Sequence, residues 1–163
     1  MKAIALTTAV AAATLSASAA SWAAVARAGL CSSGLGPTKY SATETIKGKS
    51  VVVNCGPATA KLHYKGKTYV FTQGTCFRYL GSFKLNLGRS LLIPPAAGNG
   101  GYSSMTINAA PNGQAEVGAA AGTISLYITA KFSGAAVKGT FSSLTTGVPA
   151  TGSWNCGGPI HRS

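Results

Sequence analysis

Residues 60–72 read AKLHYKGKTYVFT, and this stretch decides the fold. Apolar and polar side chains alternate on both sides of a glycine, which is the pattern of two half-buried strands joined by a tight turn. Gly66-Lys67 is predicted to form the two-residue turn. That register brings two facing pairs onto one face, Tyr64 with Tyr69 and Leu62 with Phe71. The turn and the hydrophobic pattern therefore agree on one β-hairpin.

Short alternating segments of the same kind recur along the rest of the chain, separated by glycine, proline and asparagine. They cover residues 50–55, 82–87, 89–93, 103–109, 123–129, 137–142 and 151–156. This spacing predicts an all-β fold, a small antiparallel β-sandwich or barrel-like domain that spans residues 24–163. Residues 24–37 and the tail after Cys156 are predicted to be irregular.

The first 23 residues have the features of a secretory signal peptide. Lys2 precedes an apolar stretch from Ala3 to about Leu15, and small residues follow. Cleavage is expected after one of three alanines, Ala19, Ala23 or Ala28. A membrane anchor is the alternative, but serine and alanine dominate the second half of the stretch and weaken insertion. The sequence predicts a secreted or envelope-associated protein with a helical signal peptide.

Four cysteines lie beyond the signal peptide, and an even number in an exported chain argues for two disulfides. They are Cys31, Cys55, Cys76 and Cys156. A zinc site would need closely spaced ligands, and the two histidines are isolated. A lipid on Cys31 would need a small residue directly before it, where the chain has Leu30. No lipid anchor is expected.

Acidic residues are almost absent from the 163-residue chain. Charged residues make up 10% of it, with fourteen Lys and Arg against two acids, and the formal net charge is +12. Without any Asp, the chain cannot form an Asp-based triad, an aspartyl dyad, an EF-hand or an Asp-held magnesium site. Glu44 and Glu116 are the one pair that could serve a glycosidase. Each lies in an ordinary alternating segment, so we expect no enzyme, cofactor or metal.

Nine of the fourteen basic residues lie between Lys39 and Arg89, and the hairpin carries three of them. Lys61, His63 and Lys65 share the face opposite the tyrosines, and Lys67 lies in the predicted turn. Such a stripe would attract a phosphate- or carboxylate-bearing polymer of the cell wall, or a membrane surface. It is equally compatible with a solvated face that keeps an exported protein soluble. The aromatic rings alternate to the other face, so nucleic acid is not expected as a partner.

The region from residue 74 to residue 156 resembles the mycobacterial 19 kDa lipoprotein antigen family of secreted β-domains. The matching motifs are Gly74-Thr75-Cys76, residues 83–88, Lys138-Gly139-Thr140-Phe141 and residues 152–156. The resemblance implies a Cys76–Cys156 disulfide, and we expect Cys31–Cys55 as the second. Trp154 is predicted to pack on the disulfide. The resemblance brings no catalytic residue with it.

These observations favour an exported, non-enzymatic protein of the cell envelope or extracellular space. The alternative function is a binding module for anionic polymers or membrane surfaces, with Lys61, His63, Lys65 and Lys67 as the candidate anion-binding residues.

Overall fold

The computed structural model describes residues 40–92, 101–135 and 137–162. These residues form twelve β-strands and no helix, so the all-β prediction is confirmed. The predicted signal peptide, its cleavage sites and Cys31 lie outside them. The strands are β1 (Ser41–Ile46), β2 (Lys49–Asn54), β3 (Thr59–Tyr64), β4 (Lys67–Thr72), β5 (Gly74–Tyr79), β6 (Ser82–Leu91), β7 (Ser104–Ala109), β8 (Gln114–Ala121), β9 (Ile124–Ala135), β10 (Lys138–Ser143), β11 (Ala150–Asn155) and β12 (His161–Arg162).

The turn of the β3–β4 hairpin lies one residue earlier than predicted. This change shifts the pairing of the two strands by two residues. The turn is Lys65-Gly66, with φ of 49° at Lys65 and 71° at Gly66. Positive φ at both central residues is the requirement of a type I′ turn, which matches the twist of the two strands. Tyr64 therefore faces Lys67, and Leu62 faces Tyr69. The inward face keeps the predicted side chains, because the register changes by an even number of residues.

Hydrogen bonding joins the strands into one sheet, and the predicted two-layer sandwich is wrong on this point. The order is β1-β2-β6-β7-β8-β9-β10-β11-β3-β4, with β5 beside β6 and β12 beside β5. All pairs are antiparallel except the short β12–β5 pair. No strand pairing in the described residues joins β4 to β6, so the sheet stays open there. A backbone hydrogen bond spans the opening, from the Gly88 N–H of β6 to the carbonyl oxygen of Gln73, which follows β4, over 2.9 Å.

The sheet curls so that a single face encloses the main core. Phe83 on β6 and Trp154 on β11 are five strands apart in the sheet, yet their ring centroids are 4.5 Å apart. Phe132 stacks on Trp154, with the two rings 7° from parallel. Trp154 is buried in this aromatic cluster. Trp154, Cys76 and Cys156 belong to the same core cluster, and direct packing of Trp154 on the disulfide stays a prediction.

One of the two predicted disulfides lies wholly within the described residues. Cys76 on β5 is bonded to Cys156, just after β11, and both are buried. The bridge closes 80 residues of sequence and joins two strands that are distant in the sheet order. None of the described cysteines is a free thiol, and Cys55 is disulfide-bonded. The pairing Cys31–Cys55 stays a prediction, because Cys31 lies outside the described residues.

The tail after Cys156 is not irregular throughout, as the sequence had suggested. His161 and Arg162 form β12 and run parallel to Phe77 and Arg78 of β5. The Tyr40 hydroxyl and Nδ1 of His161 are 2.8 Å apart, and the Tyr40 ring meets Phe77 edge-on at 4.8 Å. These contacts and the strand pairing hold residues 161–162 beside β5.

Candidate functional site

The predicted anion-binding residues of the hairpin do not all share one face. Lys61 and His63 alternate with buried residues of β3, so both point away from the core and are exposed. Nδ1 of His63 lies 2.8 Å from Oγ1 of Thr68, its partner across β4. We call the face opposite the main core the outer face. Lys61 and His63 belong to it.

Lys65 and Lys67 lie elsewhere. Lys65 occupies the first position of the turn, and its Nζ is 5.3 Å from the centroid of the Tyr64 ring. Lys67 faces Tyr64, whose ring packs against the main core. Strand alternation therefore turns Lys67 away from the outer face. Only two of the four predicted residues are brought together on one surface.

The outer face continues from β3 across three further strands. Two rows of directly opposed residues run over β3, β11, β10 and β9. The first row is Lys61, Ser153, Thr140 and Ser133, and the second is His63, Thr151, Ser142 and Lys131. We call these eight residues the hydroxyl face. Seven are exposed and Ser153 is half-buried.

The hydroxyl face has a groove of about 460 Å³. His63, Lys131 and five of the Ser and Thr hydroxyls line it. Each hydroxyl offers one O–H donor, and lysine offers three N–H donors. Neither row contains a carboxylate. The arrangement can therefore surround a negatively charged group with hydrogen-bond donors from several strands.

The nearest acid lies at the β8 border of the hydroxyl face. Lys131 faces Gln114, which makes Glu116 its diagonal neighbour. The Glu116 carboxylate accepts a hydrogen bond from the Tyr127 phenol, and this bond is the largest cause that raises the pKa of Tyr127 above its ordinary value. Glu116 is thus partly engaged by a phenol donor on β9.

A second and larger recess, of about 830 Å³, lies over β5 to β9. One cross-strand row forms part of its lining: Phe77, Lys84, Asn108, Glu116 and Thr129. This recess mixes both signs of charge with amide and aromatic side chains. It is a less selective environment for an anion than the hydroxyl face, because Glu116 repels negative charge there.

The two glutamates are not brought together. Glu44 on β1 and Glu116 on β8 are four strands apart in the sheet order. Strand alternation also separates them, because Glu44 shares the face of Ile46, which packs on the second core cluster, whereas Glu116 is exposed between the buried Ala115 and Val117 of β8. One carboxylate oxygen of Glu44, Oε2, is buried without a hydrogen-bond partner. No group of three or more His, Cys or Glu side chains in the described ranges could hold a metal ion.

Sequence reasoning missed Lys131 and the hydroxyls of β9 to β11. Their signal is the repeated alternation Lys131-x-Ser133, Thr140-x-Ser142 and Thr151-x-Ser153, which places small polar residues on one face of each strand. The pairing of β11 with β3 joins residues about ninety positions apart, so the sequence alone did not align these segments with the hairpin.

None of the described ranges contains a helix that is long and apolar enough to cross a membrane. Comparisons of the chain with protein-family models, with curated proteins and with solved structures give no match.

Proposed function

We propose that this chain is an exported, non-enzymatic domain of the cell envelope or extracellular space that binds an anionic polymer through the hydroxyl face. The observation that carries the proposal is the pair of four-residue rows across β3, β11, β10 and β9, with cationic side chains at both ends of the surface and no acid within it.

The rows suit a linear polymer better than a small anion. From β3 to β9 they span three strand spacings, which is about 14 Å. The donors are spread over this distance rather than converging on one point, so successive phosphate or carboxylate groups can each meet a hydroxyl or a cation. Contacts between exposed charges are screened by salt, and binding should therefore weaken as ionic strength rises.

Export is supported by the signal-peptide pattern and by the disulfide chemistry. A buried disulfide that joins strands distant in the sheet is typical of oxidising compartments. The resemblance of residues 74–156 to the 19 kDa lipoprotein antigen family agrees with a place in the envelope. The anionic polymers available there carry phosphate or carboxylate groups, which is the chemistry that the hydroxyl face would recognise.

The test compares charge reversals at two places on the molecule. Long-chain inorganic polyphosphate is titrated with the wild-type protein, with Lys61→Glu/Lys131→Glu, and with Lys47→Glu/Lys49→Glu. The two double variants have equal net charge, and the control pair lies at the β1–β2 turn. We expect the first variant to bind about tenfold more weakly or worse, and the control to stay close to wild type, because local contacts decide the affinity.

Two further arms separate the alternatives. Poly-glutamate in place of polyphosphate distinguishes a carboxylate ligand from a phosphate ligand. Lys65→Glu/Lys67→Glu tests the hairpin turn that the sequence favoured, and a larger loss there than in Lys61→Glu/Lys131→Glu would contradict the hydroxyl face. Equal weakening of all double variants would also contradict it, since only net charge would then matter.

A further inference from the structure

The turn between β5 and β6 presents an apolar side chain to solvent. Leu80 is 82% exposed, the highest value among the large exposed hydrophobic residues of the described ranges, and its neighbour Tyr79 is 60% exposed. Leu80 belongs to neither of the two core clusters. We call Tyr79, Leu80 and Gly81 the Leu80 tip.

Leu80 also occupies a backbone position that does not suit leucine. Its φ is 47° and that of Gly81 is 80°, so the turn has positive φ at both central residues. Glycine and asparagine tolerate this conformation, whereas the Cβ of leucine crowds the following carbonyl. The other two turns of this kind, Lys47-Gly48 and Lys65-Gly66, have lysine at the same place. Asparagine or lysine at position 80 would serve the turn at least as well as leucine. The turn therefore does not explain why an exposed leucine stands there.

Basic side chains surround the base of the Leu80 tip. Arg78 precedes Tyr79 on β5, Arg162 of β12 lies beside Arg78, and Lys84 faces Phe77 from β6. All three are exposed. The nearest described acid is Glu116, two strands beyond Lys84. The β7–β8 turn lies alongside, because a Cβ added to Gly81 would be 3.4 Å from Cγ of Pro111.

We propose that the Leu80 tip inserts into the interfacial layer of an anionic lipid bilayer. A leucine flanked by tyrosine is the composition of a membrane-interface anchor, since tyrosine places its ring among the lipids and its hydroxyl in water. The cations at the base would meet the acidic headgroups. An acidic groove on a protein partner would also complement these cations, but it would not need the exposed leucine, which an apolar lipid layer accommodates.

The inference does not depend on the polymer proposal. The Leu80 tip joins β5 to β6, whereas the hydroxyl face is formed by β3, β11, β10 and β9. None of its residues belongs to the hydroxyl face. Variants of one surface therefore leave the other intact, and the two proposals can fail separately.

The test measures sedimentation of the full chain with vesicles of phosphatidylglycerol and phosphatidylcholine, against vesicles of phosphatidylcholine alone. Leu80→Asn removes the apolar side chain and suits the positive φ, so it should not lower the melting temperature. We expect Leu80→Asn to weaken partitioning into the anionic vesicles by about tenfold or more, as the loss of one buried leucine predicts. Wild type should prefer the anionic vesicles.

Leu144→Asn is the matched control. Leu144 is 54% exposed and lies in the β10–β11 loop, so the chemical change is the same at another site. Every variant keeps residues 1–39, so any vesicle binding through these residues would be the same in wild type and in Leu80→Asn. Equal binding of Leu80→Asn and wild type would overturn the proposal. So would equal losses in Leu80→Asn and Leu144→Asn, or equal binding of wild type to both vesicle types.

Discussion

Glu116 and Tyr127 form a polar pair on the outer face of β8 and β9. Tyr127 faces Gly118 across the two strands, and its hydroxyl hydrogen-bonds to Glu116. A Cβ on Gly118 would be 3.7 Å from Cδ2 of Tyr127, an ordinary contact, and 3.0 Å from Oγ1 of Thr106, which is tight. The position of the Tyr127 hydroxyl is thus tied to Glu116 rather than to the glycine it faces.

Replacement of Glu116 by glutamine should lower the pKa of Tyr127 towards its ordinary value. The hydrogen bond to the carboxylate and the negative charge both favour the neutral phenol, so they hold its pKa up. Loss of the charge removes the repulsion that the phenolate would meet. The measurement is an NMR titration of the Tyr127 ring. Glu44→Gln is the control, and an unchanged Tyr127 titration in Glu116→Gln would contradict the pairing.

At the level of the element, two-residue turns with positive φ at both positions set the register of three hairpins in the described residues. These turns are Lys47-Gly48, Lys65-Gly66 and Leu80-Gly81, and each places glycine second. The type I′ turn needs this order, because glycine adopts positive φ without strain. The predicted turn Gly66-Lys67 is wrong because it puts glycine first, whereas the type I′ turn at Lys65-Gly66 has glycine second.

Replacement of Gly66 by alanine should cost about 1–2 kcal/mol of unfolding free energy, the strain of a left-handed residue with a Cβ. Nothing lies within 4 Å of the added Cβ, so backbone strain alone would cause the loss. Urea unfolding measures it. Gly66→Asn should lose less, because asparagine tolerates positive φ. Equal stability of wild type and Gly66→Ala would argue that the turn has another conformation.

Strand prediction succeeded where apolar residues alternate with polar ones and failed where small residues replace them. The alternation in residues 82–87 correctly indicated β6, whereas β8 reads QAEVGAAA, and its alanines give no β signal. β1 and β12 were missed for a different reason, since each depends on a neighbouring strand rather than on its own pattern. The alternation of apolar and polar residues within a segment predicts a strand. Which strands share a surface depends on the pairing between segments, which this alternation does not indicate.

The curl of the sheet is a property of the whole molecule. A sandwich and a curled sheet both need one apolar face on each strand, so the same alternation fits either. Pairings between distant segments distinguish them, such as β11 with β3 and the Cys76–Cys156 bridge. The all-β class was therefore predictable, whereas the single sheet and the hydroxyl face that it assembles were not.

Removal of the bridge by Cys76→Ala/Cys156→Ala should lower the unfolding free energy by about 4 kcal/mol, the entropy of a loop of this length in the unfolded chain. Denaturant unfolding of the double variant checks this value. The unfolding free energy of the wild-type chain should fall by at least the same amount in reducing buffer, because all of its disulfides would be reduced. A loss under about 1 kcal/mol would indicate that the curled sheet does not need the covalent link.

The hydroxyl face is formed by β3 and by the three consecutive strands β9 to β11, and its proposed binding of an anionic polymer can be followed residue by residue. The measurement is the change of amide chemical shifts as short-chain polyphosphate is added. We expect the changes to concentrate on β3, β9, β10 and β11, around Lys61, His63 and Lys131, and to fade at high salt. Changes centred on the Lys47-Gly48 turn or on the recess residues Phe77, Lys84 and Asn108, or no changes at low salt, would show that the hydroxyl face is not the binding surface.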